Sequence, residues 1–106
     1  AATPAPVFIP LFAADRLGDY LRLAARPRAA GIGVEVFPEA RKLGAQLKYA
    51  DRRGFRFAVL LGANAFAEGT CQVKDLASGT THQAPLVSDF QEVVRLLTRE
   101  LALPSS

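Results

Sequence analysis

Nucleophilic catalysis needs a thiol or hydroxyl beside a base. The chain has one cysteine, Cys71, and one histidine, His82. They fall on two neighbouring extended segments, TCQVKDL (70–76) and TTHQAPL (80–86), with no acid placed to orient the imidazole. A buried structural thiol and an edge-strand histidine account for the pattern better. One Cys and one His also fall short of the four ligands of a structural zinc site. GIGVE (31–35) carries two glycines, but it precedes a strand where a dinucleotide fingerprint would open a helix. It reads as a helix stop and a turn. A receiver-type phosphoacceptor would need acids grouped at strand ends, whereas Asp15 stands alone and suits a helix N-cap.

GAQLKYADRRG (44–54) is the stretch with the strongest chemical character. On a helix drawn at about 100° per residue with Leu47 at the centre of the buried arc, Leu43, Ala50 and Gly54 cluster around it. Lys48, Arg41 and Arg52 gather on one shoulder, and Arg53 and Lys42 on the other with Gln46 beside them. Tyr49 falls on the far face, and Asp51 near the buried edge. Two readings fit: an ordinary solvated face, or a surface for a polyanion. Cations hold phosphates and an exposed ring stacks an unpaired base, which is what a single-stranded RNA site requires.

The elements that must position this helix follow from hydrophobic periodicity. VFIPLF (7–12) reads as a strand with Pro10 near its end. DRLGDYLRLAARPRAAG (15–31) carries Leu17, Leu21 and Ala24 at helical spacing, with Asp15 as cap, Gly31 as stop and Pro27 ending or kinking the helix near Arg26. VEVF (34–37) alternates as a strand, and ARKLGAQLKYADRRG is the second helix, closed by Gly54. FRFAVLLG (55–62) is the continuous apolar run of a strand buried on both faces. ANAFAEG is a short turn, one helical turn at most. Two strands at 70–76 and 80–86 form a hairpin around Gly79. SDFQEVVRLLTREL (88–101) is the third helix, started by Ser88, with Phe90, Val93, Val94, Leu97 and Leu101 on one face. Alternating strands and helices predict an α/β fold with a parallel sheet, helices on both faces and antiparallel pairing at one side.

A length of 106 residues, half of them apolar, gives one domain with a real core. Residues 1–6 read as an Ala/Pro-rich linker, 7–103 as the domain and 104–106 as a tail. The longest apolar run, 57–67, is too short to cross a bilayer. A net charge of +3 permits nucleic acid without demanding it. The single cysteine makes a reducing compartment, the cytoplasm, the expectation. The chain has no methionine, so it is expected to be a piece of a longer protein.

The run GVEVFPEARKLGAQLKYADRRGFRFAVLLG (33–62), followed by GTCQVKDLASG (69–79), resembles the C-terminal anticodon-binding domain of histidyl-tRNA synthetases. The phrase KLGAQLKYADRRG is its specific part, and VKDL with the following turn is a shorter second match. The resemblance implies a three-layer α/β/α fold: three helices and a five-stranded mixed sheet in the order 2-1-3-4-5, with strand 4 antiparallel. It implies binding of the anticodon stem-loop of a tRNA with a histidine-type anticodon. No cofactor belongs to such a domain. ATP and Mg serve a separate catalytic domain of the parent, expected to be a homodimeric ligase, and no membrane is involved. By position the implied contacts are Gln46 and Lys48 on the second helix and Lys74 on the fourth strand, with Arg41 and Lys42 near backbone phosphates. Tyr49 and Arg52, taken from the charge and ring pattern of the helix itself, complete the candidate tRNA-binding residues. The family usually reads Gly-Glu-x-Glu after the third strand, where this chain has Gly62, Ala63, Asn64 and Ala65. Loss of those acids predicts weak base reading, with Ala65→Glu restoring an acceptor. The same loss leaves a second reading open, a regulatory or protein-interaction domain of a synthetase-like paralogue.

Overall fold

The computed structural model describes residues 6–12, 14–37, 41–62 and 64–103. Ala40, Ala63, most of the expected linker and the tail therefore lie outside the described residues. Five strands form one sheet: β1 (Val7–Ile9), β2 (Val34–Val36), β3 (Phe57–Leu60), β4 (Thr70–Asp75) and β5 (Thr81–Pro85), in the order β2-β1-β3-β4-β5. β1 is parallel to β2 and β3, while β4 runs antiparallel to β3 and β5. The expected order and the antiparallel fourth strand are both present.

Strand alternation divides the interior in two. Val7 and Ile9 of β1, Phe57 and Val59 of β3, Cys71 and Val73 of β4 and Ala84 of β5 join the larger core. The helices α1 (Leu17–Ala29) and α4 (Val87–Leu101) cover this side with Tyr20, Leu23, Val93 and Leu97. Phe8 points the other way and meets Ala50 of α2 (Leu43–Arg53) and Phe55 in a small second cluster, with Phe37, Tyr49 and Leu76 packed against it. Helices on both faces make the three layers.

A four-residue helix, α3 (Ala65–Glu68), gives four helices where three were expected, and a 3-10 turn (Ala14–Arg16) precedes α1. Pro27 does not end α1: it is buried two residues before the helix ends at Ala29, inside the last turn. The helix runs through Pro27 without an N–H at that position, and the carbonyl of Pro27 accepts from both Ala30 and Ile32 at the helix end. Asp15 and Ser88 are not caps. Asp15 lies in the 3-10 turn, and Ser88 lies inside α4 at φ 56°. The buried face of α1 is Tyr20, Leu23, Ala24 and Pro27, leaving Leu17 and Leu21 exposed. On α4, Leu96 takes the buried place expected of Val94. Gly54, at φ 80°, closes α2 as expected, with its N–H and that of Phe55 bonded to Asp51 and Ala50. No helix among the described residues is long and apolar enough to cross a membrane.

Candidate nucleic-acid interface

On the α2 side of the sheet, only part of the surface is covered. The register sets Ala58 of β3 beside Lys74 of β4 and Thr81 of β5, and Leu60 beside Gln72 and Gln83. Alternation puts these two rows on the face opposite the larger core. Gln72, Thr81 and Gln83 are exposed, and Lys74 is half-buried. A groove therefore runs between one flank of α2 and an open polar face of β4 and β5.

Two hollows mark this groove. One, of about 320 Å3, is lined by Gly44, Leu47, Lys48 and Asp51 of α2 together with Lys74, Leu76 and Gly79. It brings together Lys48 and Lys74, two cations 26 positions apart in the sequence. The other, of about 330 Å3, has Phe12, Leu43 and Leu60 as apolar walls and Glu68, Gln72 and Gln83 as polar ones. Those three polar side chains have no hydrogen-bond or ion-pair partner among the described residues. Lys48, Arg52 and Lys74 likewise have no carboxylate within salt-bridge distance among the described residues. Positive charge and open amide groups thus share one surface.

The structure turns α2 about its axis relative to the expected arc. Gln46 and Ala50 are the buried residues of the helix, Leu43 and Leu47 are half-buried, and Asp51 is exposed. Gln46 is 0 % exposed and is not on the surface where its sequence position had set it. Its Oε1 accepts from Leu11 N, and its Nε2 donates to Leu11 O and Arg41 O, all at 2.8 Å. Satisfied hydrogen bonds outweigh its polarity. Tyr49 is not an open stacking platform either. Its ring lies 5.6 Å from that of Phe8 and 5.3 Å from that of Phe37, and its hydroxyl donates to Glu35 at 2.9 Å. That hydrogen bond, burial and the Glu35 charge all push the Tyr49 hydroxyl above its ordinary pKa. Arg53 stacks over the Tyr49 ring at 5.7 Å. Arg41, Lys42, Lys48 and Arg52 are exposed, as expected.

Ala65 is 4 % exposed and packs with the larger core, and it also lines the second hollow beside Gln72 and Gln83, so a longer side chain there would project from the core edge into the groove. The nearby acid that does reach the groove is Glu68. Gln72 and Gln83 escape a reading of the sequence because their pairing depends on the register of the hairpin, although the Gln72/Lys74 alternation in TCQVKD is visible. Cys71 is buried, and burial pushes its thiol up to about 12. His82 lies on the other face, with Nε2 3.4 Å from Oε1 of Glu100, an acid the sequence did not place there. Among the described residues no group of three or more His, Cys, Asp or Glu could hold a metal ion.

Residues 7–99 match the family model described as "Anticodon binding domain". The chain is 53% identical over 75 residues to the histidine–tRNA ligase of Rhodopirellula baltica, covering 71% of this chain and 17% of that protein. It is 37% identical over 98 residues to that of Nostoc punctiforme, covering 92% of this chain and 21% of that protein. Among solved structures, the histidyl-tRNA synthetase of Nostoc sp. PCC 7120 superposes with a TM-score of 0.85 at 32% identity, over 94% of this chain and 23% of that one. The Staphylococcus aureus enzyme, at 23% identity and a TM-score of 0.74 over 89% of this chain and 26% of that one, shares the fold. The chain thus spans about a fifth of the length of these relatives.

Proposed function

The chain belongs to the anticodon binding domain family, and on that premise we propose that it binds the anticodon stem-loop of a tRNA along the groove between α2 and the open face of β4 and β5. The observation that carries this reading is the meeting of Lys48 and Lys74 in one hollow, beside the exposed Gln72 and Gln83. Lys48, Lys74 and Arg52 hold backbone phosphates, and Arg41 and Lys42 extend the cationic surface at the start of α2. Such contacts position the RNA, while base edges give the choice. Open amide groups on the sheet suit unpaired bases, which display their hydrogen-bonding edges only in a loop.

The relatives' names support a histidine-type anticodon and a parent that is a histidine–tRNA ligase. The reaction then belongs to a separate catalytic domain using ATP and Mg, in a homodimer in the cytoplasm, and this domain contributes RNA binding only. The same names do not favour a regulatory paralogue.

The test is a competition at fixed salt between a histidine-type anticodon stem-loop and a sealed duplex of equal length and charge. The loop should win clearly; equal affinity, or no binding of either, would end this reading. Discrimination against a changed anticodon should stay well under about a hundredfold, because Ala63 and Ala65 stand in the sequence where the family usually carries acids.

A further inference from the structure

Two anchors hold α2 against the sheet. Its second half is held by the aromatic cluster around Phe8, Tyr49, Ala50 and Phe55. Its first half has no side-chain cap: Lys42 occupies the cap position with extended dihedrals and no side-chain bond. Leu43 and Leu47 are only half-buried. What fixes the first half is the Gln46 amide. It spans 35 positions to bond both backbone groups of Leu11, and it reaches back to the carbonyl of Arg41.

We propose that Gln46 is a positioning residue: its amide joins the segment after β1 to the entry of α2 and thereby sets where the α2 cations and the Phe12 and Leu43 walls stand relative to β4. The inference rests on the RNA-binding reading of the groove. The chemistry is specific to an amide. Leu11 has gone past the β1 ladder and offers one N–H and one C=O, and Arg41 offers a second C=O. A group facing them must accept one hydrogen bond and donate two, and the glutamine side chain does so with every proton used. Leu11 is 1% exposed, so water does not readily replace it. A carboxylate keeps the single acceptor role and turns negative charge toward two carbonyls. A methionine of similar length removes all three bonds. The linkage reaches the groove directly, because Phe12 follows Leu11 and lines the second hollow with Leu43, while Lys48 lies half a turn beyond Gln46 and lines the first.

The experiment is a double-mutant cycle in the intact chain, with Gln46→Met, Lys48→Ala and their combination, using an anticodon stem-loop as probe at a temperature where every variant is folded. Gln46→Met should weaken binding about tenfold and lower the salt slope by about 0.7 for each phosphate the displaced helix no longer neutralises. The two substitutions should be non-additive, because the first misplaces the charge that the second removes. Full additivity, or wild-type affinity in a folded Gln46→Met, would overturn the proposal. A Lys48→Ala variant that binds like wild type would instead strike at the groove itself. If Gln46→Met does not fold, hydrogen exchange in the unmodified protein decides. Bound stem-loop should slow exchange of the Leu11 amide more than that of Val93 in α4, because the joined state is the one that binds. Equal slowing of both would overturn the proposal.

Discussion

Replacing Lys48 and Lys74 together by alanine is the sharpest perturbation of the groove. The two ammonium groups line one hollow and have no carboxylate within salt-bridge distance among the described residues. Each is therefore available to displace one condensed counterion from RNA. For a single-stranded ligand each neutralised phosphate contributes about 0.7 to the slope of log K against log salt. Removing both ammonium groups therefore lowers the slope by about 1.4. Between 50 and 200 mM salt, a fourfold change, the wild-type advantage should then shrink by 4 to the power 1.4, about sevenfold. Fluorescence anisotropy of a labelled stem-loop, titrated at five or more salt concentrations, reads this directly. Asp51 lines the same hollow, so Asp51→Ala should strengthen binding. Parallel salt plots for the wild type and the double variant would refute the reasoning, whatever the difference in affinity at one salt, because an ammonium group that releases no counterion is not held against a phosphate.

Ala65→Glu should add an acceptor to the second hollow, which Ala65 lines beside Gln72 and Gln83, and widen the preference for the matched anticodon. Because Ala65 also packs with the larger core, overpacking should cost about 1–3 kcal/mol, and a lower Tm with no gain in discrimination would refute this. For Asp75, burial pushes its carboxyl up, but the N–H groups of Ser78 and Ala77 and the Arg56 guanidinium outweigh it and hold the group below its ordinary value. A depressed folded pKa stabilises the protein above the unfolded value and loses that contribution as pH falls. Asp75→Ala should therefore cost about 1–3 kcal/mol at pH 7, with the gap to wild type in denaturant unfolding narrowing below about pH 4. The Cys71 thiol, pushed up to about 12, leaves roughly one thiolate in 10^4 to 10^5 at pH 7.5, so a disulfide reagent should titrate it only in denaturant.

The sheet is legible in the sequence because its signals are redundant. Apolar runs, the glycines at 54 and 79 and the alternation of Cys71, Gln72, Val73 and Lys74 all point to the same strands and turns. The rotation of the helices about their own axes is not legible in the same way. On α1, leucines at 17 and 21 give a regular stripe, yet the larger Tyr20 is buried, its hydroxyl 3.5 Å from the carbonyl of Leu61. A ring with one polar atom fits the interior when that atom finds a partner, and the partner lies 41 positions away. Pro27 misleads for a different reason: its ring meets the turn that precedes it, yet the helix runs through it to Ala29 with the proline side chain buried.

The same logic governs the site. A helical drawing of 44–54 treats burial as a property of apolar side chains, so it places Leu47 inside and Gln46 outside. Burial follows the free energy of the whole environment, and Gln46 enters the interior because three backbone groups await it there. A signal is present in the sequence: Leu43, Gln46 and Ala50 share the i, i+3, i+7 spacing of one helix face, and Pro10 ends the β1 ladder just before Leu11, leaving backbone groups that need partners. The turn of α2 that buries Gln46 also withdraws Tyr49 into the aromatic cluster and leaves Lys48 facing Lys74. On the proposed RNA-binding reading, phosphate contacts then rest on charge alone, and base reading is expected from the side of the groove that carries Gln72 and Gln83.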